Sequence, residues 1–378
     1  MERILSIFER IPDPRQPWKI KHNLAEILLI CILGVLANAS SSYEIHIFAQ
    51  LREAWLLSFL KLEHGIPSRL TIERNLRLLD PKNFEIAFNE LMQTIQKSSE
   101  GSVVAIDGKA CFSKARENGK NSVLYTVGAW CSTNGLSLGQ VLVEEKSNEI
   151  KAMPELLKLL DLKGAIVTID AMGCQKDLID QIVEQKKADY VIGLKRNQPN
   201  LHEACQLYAQ DCIKDPLCGS LYTKKTTLEK GHGRIDKRTY YLFHDLSWLE
   251  HRNDWKGLQG LLMTKSERTV GQSPTTTEYR YYLTSLTDLN QAAFAARKHW
   301  GIENNLHWSL DVVFREDQWH TRKEVAAANL AKIRRLTANI LKADTTFPEK
   351  MTTPIRRYIC CADPQVLDRV IFASPFLS

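Results

Sequence analysis

The 378-residue sequence predicts an α/β protein in which a sheet with its helices follows an all-α amino-terminal region. Three observations support this fold class. Apolar residues recur at helical spacing through residues 1–98, short apolar runs typical of buried strands follow, and further strand patterns occupy residues 215–287. Because helical patterns return after residue 287, we predict that the second group of strands is a β-rich insertion into the α/β domain.

The composition indicates a globular protein with a mild positive charge. Apolar residues make up 44% of the chain, charged residues 25%, and the formal net charge is +6. This charge permits a nucleic-acid partner without requiring one. Nine scattered cysteines without a Cys-x-x-Cys pair favour buried thiols in the reducing cytoplasm. The longest apolar run, residues 27–37, is too short to cross a bilayer, so we expect a buried helix and no membrane association.

Short helices are predicted throughout the amino-terminal region, which we assign to residues 1–98. Residues 24–36 form one apolar helix, and residues 69–79 combine a helical apolar stripe with arginines on the other face. Asp80-Pro81 ends that helix and begins the next. A set of short helices with one basic face suits a small DNA-binding bundle, but a solvated face on a structural domain would give the same pattern.

The α/β domain is predicted to begin at residue 99, after a polar linker, and its first part extends to residue 214. Its strands are predicted at residues 103–106, 122–132, 136–144, 165–169 and 190–194, with helices at 149–160 and 176–187. Three strands, helix, strand, helix, strand is the order of an RNase H-like core. We assign residues 288–345 to helices of this core and residues 346–378 to a carboxyl-terminal tail.

Two aspartates follow predicted buried strands directly. Asp107 comes after Ala105-Ile106, and Asp170 after Thr168-Ile169. If the strands are neighbours, both carboxylates lie at the edge of the sheet where ligands collect. Close carboxylates are stable together when a cation lies between them, and oxygen ligands favour Mg²⁺ or Mn²⁺. Two unrelated aspartates that cap the turns after their strands are the alternative.

A third carboxylate, Glu303, lies within a predicted helix. His299 and His307 flank it at four-residue spacing, so the three side chains share one face. The neighbouring face carries the apolar stripe Ile302, Leu306, Leu310 and Val313. A polar row beside an apolar row is typical of a helix that lines an active site, and Glu303 could complete a two-metal site for phosphoryl displacement. A solvated face with ordinary salt bridges is the alternative.

Other polar residues are candidates for contacts with DNA phosphates or bases. They are Lys195, Asn197 and Gln198 after the last core strand, and His232, Arg234 and Arg238 at the head of the insertion strands. A polar turn and a solvated hairpin, respectively, are the alternatives. Trp300 and Trp308 are predicted to pack in the core and not to stack on bases.

These segments resemble the H-repeat-associated proteins, a bacterial insertion-sequence transposase family of the Asp-Asp-Glu group. The matching stretches follow the family's order over nearly the whole chain. They are Asp13-Pro14-Arg15, Val104-Ala105-Ile106-Asp107-Gly108-Lys109, Glu145-Lys146-Ser147-Asn148-Glu149-Ile150, Thr168-Ile169-Asp170-Ala171-Met172-Gly173-Cys174-Gln175, Gly231-His232-Gly233-Arg234 and the segment from His299 to Val313.

The resemblance implies an RNase H-like catalytic domain with a β-rich insertion before the glutamate, and a helical amino-terminal domain. It implies that Asp107, Asp170 and Glu303 are the catalytic triad and hold two Mg²⁺ ions, for which Mn²⁺ substitutes. Double-stranded DNA, as element ends and target, is then the substrate, bound by a homodimer. A nuclease that cuts without joining and a retired transposase that only binds DNA are the alternatives.

The sequence departs from the wider group beside the glutamate. That group commonly has arginine four residues before it and lysine seven after it, where this chain has His299 and Leu310. Because neutral histidine is a weaker phosphate anchor than arginine, we expect further basic contacts to DNA nearby. The candidates are Arg297, Lys298 and His307, and Lys109 and His299 itself are also predicted to contact DNA.

Overall fold

The computed structural model describes residues 2–95, 100–117, 120–143, 149–231, 233–316 and 324–372. Its α-helices are α1 (Glu2–Glu9), α2 (Leu24–Leu36), α3 (Ser42–Leu51), α4 (Glu53–Leu56), α5 (Arg69–Leu78), α6 (Pro81–Ile95), α7 (Glu149–Leu159), α8 (Lys176–Asp180), α9 (Pro199–Lys214), α10 (Leu289–His299), α11 (Glu324–Ala343), α12 (Thr353–Ala362) and α13 (Pro364–Phe372). Its strands are β1 (Val103–Glu117), β2 (Lys120–Cys131), β3 (Ser137–Val143), β4 (Ile166–Ile169), β5 (Asp189–Leu194), β6 (Tyr222–Gly231), β7 (Arg234–Phe243), β8 (Gly260–Val270) and β9 (Thr276–Thr284). Segments of π-helix are Gln181–Gln185, Ile302–His307 and Ser309–Val313, and 3-10 turns are Pro17–Lys19, Ala171–Gly173, Pro216–Ser220 and Arg252–Asp254.

The nine described strands form one mixed sheet in the order β3-β2-β1-β4-β5-β9-β8-β7-β6. β1, β2 and β3 are antiparallel neighbours, whereas β4 runs parallel to β1 and β5 parallel to β4. The predicted RNase H-like core is therefore confirmed. β9 pairs with β5, and β8, β7 and β6 continue outward, so the insertion strands lengthen the core sheet.

Helices cover both faces of the sheet. Apolar residues of α7, α8 and α9 pack against one face, together with Tyr241 and Phe243 of β7. On the other face α10 packs Ala292 and Ala296 against Leu242 and Leu262. Alanine side chains let this helix approach the strands closely, which fixes the position of the residues that follow α10.

The amino-terminal helices share a hydrophobic core with the last three helices, α11 to α13. α2 begins at Asn23, whose side chain accepts a hydrogen bond from the Ala25 N–H, and buries every residue except Glu26. The predicted buried helix is thus confirmed. α12 and α13, in the region predicted as a tail, contribute Cys360 and Leu367 to the same core.

Several strands are longer than their sequence patterns, which in the insertion cover residues 222–228, 238–243, 258–264 and 279–284. β6 extends to Gly231, β7 starts at Arg234 and β8 reaches Val270. The outer halves of these strands are polar, so the alternation that reveals a half-buried strand is missing there. β1 likewise continues to Glu117, and Asp107 therefore lies within a strand, not at its end.

The described helices include none that is long and apolar enough to span a bilayer. The cysteines whose side chains are described are free thiols, most of them buried. Burial raises the pKa of Cys31, Cys174 and Cys360 to about 12, so these thiols stay protonated at neutral pH.

Candidate active site

The parallel pairing of β1 with β4 places Asp107 beside Asp170. Ile106 and Ile169 are register partners, and each aspartate is the next residue of its chain segment. Asp170 caps the following 3-10 turn by accepting a hydrogen bond from the Met172 N–H at 3.0 Å, and Asp107 accepts one from the Gly108 N–H at 2.9 Å. Asp170 therefore caps the turn after its strand, as the alternative interpretation expected, whereas Asp107 lies within β1 and caps no turn, and the two aspartates are neighbours.

Glu303 reaches the same place from a π-helical segment. The helical path continues from α10 through Gly301, where an added Cβ would lie 2.4 Å from the Trp130 ring. Glycine thus lets the chain pass against β2 just before Glu303. The His307 Nδ1 lies 3.7 Å from the Glu303 Oε2 and 3.9 Å from the Asp107 Oδ2. Asp107, Glu303 and His307 form the group of described residues whose ligand atoms lie within 4.8 Å of one another.

The electrostatics of the site oppose a negative charge on Asp107. Burial raises the pKa of this carboxyl to about 7, and the negative charges of Asp170 and Glu303 add to the effect. Glu149, at the start of α7, raises it further, while the hydrogen bond from Gly108 opposes these effects. A carboxyl group held this far from its ordinary value identifies a candidate functional position.

The pKa values of the two histidines are lowered, whereas that of Asp107 is raised. Desolvation by burial lowers the pKa of His307 and of His299, so both rings are neutral at pH 7. The His299 Nδ1 lies 3.1 Å from the Thr168 Oγ1, between β4 and the end of α10. The interaction with His307 lowers the pKa of Glu303, and the positive charge of Lys109 contributes. Glu303 is therefore ionised at neutral pH.

Lys109 links the strand of Asp107 to the helix of Glu303. Its Nζ donates to the Asp311 Oδ1 at 2.6 Å and lies 3.6 Å from the Glu316 Oε2. The side chain of Lys109 is only 6% exposed, and that of Glu316 only 2%. This buried ion pair fixes β1 relative to the π-helical segments. Lys109 thus pairs with two carboxylates beside the site, and its contact with DNA stays a prediction.

Two of the predicted DNA contacts hold the loop that follows Asp170. The amide nitrogen of Asn197 donates to the Ala171 carbonyl, and that of Gln198 donates to the Cys174 carbonyl at 3.0 Å. These contacts support the interpretation of this segment as a structured polar turn. Lys195 is exposed, and its positive charge contributes to lowering the pKa of His299.

Arg234, Arg238 and Arg297 line a groove of about 380 Å³ on the α10 face of the sheet. Arg268, Arg280 and Trp300 lie in the same groove. Asp236 contacts three of these arginines, at 2.7 Å from Arg268, 3.1 Å from Arg234 and 3.5 Å from Arg238. Glu229 pairs with Arg238 and Arg297, and Glu278 pairs with Arg280. The five arginines of the groove thus face three carboxylates, which leaves an excess of positive charge. His232 lies outside the described residues.

Trp300 and Trp308 are not core residues, contrary to the prediction. They are 39% and 51% exposed, whereas the predicted stripe of Ile302 and Leu310 is fully buried. At 3.6 residues per turn, residues 300 and 308 do not fall on the face of Ile302, Leu306 and Leu310, so burial of that face leaves both tryptophans outside. The Arg280 guanidinium lies 4.5 Å from the centre of the Trp300 ring, which is a cation–π distance.

Sequence reasoning missed four residues of this region, namely Glu149, Arg268, Arg280 and Asp311. The carboxylate of Glu149 lies 2.8 Å from the position that a Cβ on Gly108 would occupy. Its presence in one of the family's stretches is a signal that could have found it. Arg268 and Arg280 lie on the polar halves of their strands, where no local pattern marks their contribution to the groove.

Comparisons with known proteins agree with this architecture. The family described as the transposase DDE domain matches residues 94–340, and the DDE_Tnp_1-associated family matches residues 5–92. "Putative transposase YncI" of Escherichia coli O157:H7 is 36% identical over 346 residues, which are 90% of this chain and 88% of that protein. "H repeat-associated putative transposase YhhI" of Escherichia coli K12 is 34% identical over 364 residues, 94% of this chain and 95% of that one. A shorter relative from the same strain, "Inactive transposase YbfQ", is 32% identical over 74 residues, 20% of this chain and 88% of its own length. The chain therefore belongs to the DDE-domain transposases and to the H repeat-associated family that its motifs resemble.

Proposed function

We propose that this chain cuts DNA at the ends of a mobile element and joins the freed ends to target DNA, with Asp107, Asp170 and Glu303 as the catalytic residues. The supporting observation is that carboxylates from three separate chain segments converge, and that burial together with the negative charges of Asp170 and Glu303 raises the pKa of Asp107 to about 7. Such a cluster is unfavourable for anions alone and is favoured by bound cations. Membership in the transposase family supports DNA as the substrate class.

The donor set fits a hard divalent cation. The carboxylate oxygens suit Mg²⁺, and Mn²⁺ can replace it. Asp107 and Asp170 would hold one ion, and Asp107 and Glu303 the second. Bound there, the ions would acidify the attacking water and stabilise negative charge on the leaving oxygen.

The neighbouring side chains keep the carboxylates in place for this chemistry. Lys109 fixes the distance between the Asp107 strand and the Glu303 helix through Asp311. Asn197 and Gln198 hold the loop after Asp170. Each of these contacts joins segments that are far apart in the sequence, so the site forms only in the folded chain.

We further propose that the arginine groove holds the DNA backbone. The groove begins at Asn304 and Trp300, next to Glu303, and continues along β7, β8 and β9. Guanidinium groups bind phosphate oxygens in a bidentate manner. A strand lying in this groove would place its end at the carboxylates. Lys195 and His299 lie on the opposite side, towards Asp170, and would contact the phosphate next to the cut.

The test is product analysis with the DNA that flanks the gene, in Mg²⁺ or Mn²⁺. Wild type is expected to give metal-dependent 3′-hydroxyl ends and, after addition of target DNA, joined products. Asp170→Asn is expected to bind the same DNA without cutting it. Cutting without joining would instead establish a nuclease, and binding without cutting by both proteins would establish a retired transposase.

The proposal also includes a homodimer on DNA, since two element ends must be cut together. Light scattering of the complex with flanking DNA measures the number of chains. Two chains per pair of ends are expected, and a single chain that cuts both ends would contradict this part of the proposal.

A further inference from the structure

His307 lies inside the carboxylate cluster and not on a surface that DNA can reach. Its ring is 5% exposed, and its Nδ1 faces both the Asp107 Oδ2 and the Glu303 Oε2. The sequence predicts a DNA contact for this residue, but a phosphate cannot approach a ring that is buried to this degree. A binding partner of His307 must therefore fit between its ring and the carboxylates of Asp107 and Glu303.

A metal ion satisfies the distances. Metal–oxygen and metal–nitrogen bonds of about 2.1 Å let one ion bridge two ligand atoms that lie up to roughly 4.2 Å apart. The two separations from the His307 Nδ1, 3.7 and 3.9 Å, are within this limit. Both separations exceed the length of an ordinary hydrogen bond, so an ion can lie between the ring and the carboxylates without a change in their positions.

Charged groups from several elements surround the His307 ring. Lys109 of β1 and the fully buried Arg335 of α11 act on it, while Asp107 and Glu303 face its Nδ1. Imidazole binds metals through a ring nitrogen, and the Nδ1 is the nitrogen that faces both carboxylates.

We propose that His307 is a direct nitrogen ligand of the ion that Asp107 and Glu303 hold. The inference rests on the proposed function, because it assumes that this cluster binds a divalent ion. An imidazole ligand favours Mn²⁺ over Mg²⁺ relative to an all-oxygen site. The site would therefore combine two carboxylates and one imidazole at one ion, with Asp170 contributing to the other ion.

The test is pulsed electron paramagnetic resonance of Mn²⁺ bound to the full-length protein with flanking DNA. Coupling to a histidine nitrogen is expected in wild type and is identified by its change in protein grown with ¹⁵N-histidine, which requires no substitution. His307→Gln should remove this coupling and weaken Mn²⁺ binding by about tenfold or more, since even indirect support of a metal ligand is worth that much. His299→Gln is the matched control and should retain the coupling.

A second variant distinguishes the loss of a metal ligand from misfolding of the protein. His307→Asp supplies an oxygen ligand in place of nitrogen, so it should bind Mn²⁺ without nitrogen coupling and prefer Mg²⁺ more than wild type does. Nitrogen coupling that persists in His307→Gln, or that disappears in His299→Gln, would overturn the assignment of His307 while leaving the carboxylate site intact. Failure of wild type to bind Mn²⁺ at all would overturn the metal site of the proposed function as well.

Discussion

Replacing Lys109 with methionine tests whether the buried ion pair holds the site together. Methionine keeps most of the aliphatic side chain and removes the charge that contacts Asp311 at 2.6 Å and Glu316 at 3.6 Å. Glu316 is 2% exposed, so it cannot gain solvation from water in the variant. Arg334, whose Nη1 is 3.8 Å from the Glu316 Oε1, still compensates part of that charge.

The size of the effect follows from these contacts. Breaking a buried ion pair by removing one partner costs about 3–5 kcal/mol. Because Asp311 is 35% exposed and Glu316 retains Arg334, we expect a loss in the free energy of unfolding at the lower end, about 3 kcal/mol. Lys109→Arg retains the charge and should lose clearly less.

Urea unfolding followed by tryptophan fluorescence measures this loss. A double-mutant cycle with Asp311→Asn isolates the pair, and a coupling energy of about 1–3 kcal/mol is expected. If Lys109→Met is within about 1 kcal/mol of wild type, a value typical of an exposed pair, Lys109 does not hold β1 to the helix of Glu303.

Three further predictions follow from the site and the groove. Since the folded-state pKa of Asp107 is raised from 3.8 to about 7, its contribution to stability is complete below pH 3.8 and is lost as the pH rises through 7. In the absence of metal, the free energy of unfolding of Asp107→Asn should therefore exceed that of wild type at pH 8 by up to roughly 4 kcal/mol, with no difference near pH 4. Equal stability of the two proteins in thermal melts at pH 8 would contradict the raised pKa. Gly193→Ala would place a Cβ 3.0 Å from the Ala171 backbone nitrogen and displace Asp170, so cleavage should fall by about tenfold to a hundredfold with DNA binding unchanged. Gly219→Ala, where an added Cβ meets open space, is its control, and equal cleavage rates for both variants would refute the displacement. Arg268→Ala and Arg280→Ala should each lower the salt dependence of DNA binding, measured as the slope of log K against log salt, by about 0.9. Lys224→Ala, on the opposite face of the sheet, is the control and should leave the slope unchanged. An unchanged slope in the two arginine variants would show that DNA does not lie in the groove.

The core of the fold could be predicted from the sequence because its signals are local. The apolar helix at residues 24–36 and the strand before Asp170 each carry a continuous apolar pattern. The adjacency of Asp107 and Asp170 follows from the strand order of the predicted core, and the parallel register of β1 with β4 confirms it.

Other features depend on contacts between distant segments. α11 lies in the region predicted as core helices, but the burial of its charged residues Lys332 and Arg335 is not apparent from the sequence. Glu85 of α6, 3.7 Å from Lys332, is far away in the sequence, so no local pattern reveals the pair. The surroundings of His307 likewise come from distant segments, since Asp107 and Lys109 of β1 and Arg335 of α11 lie next to it.

The most direct test of the catalytic assignment is the rate of 3′-hydroxyl formation on flanking DNA by wild type, Asp107→Asn and Asp177→Asn at equal DNA occupancy in Mn²⁺. Asp177 is an exposed aspartate in the first turn of α8 and serves as the matched control. We expect Asp107→Asn to lose about a thousandfold or more in rate, equivalent to ~4 kcal/mol of transition-state stabilisation, while Asp177→Asn cuts like wild type. Cleavage by Asp107→Asn at the wild-type rate would contradict the assignment of the carboxylate cluster as the catalytic site.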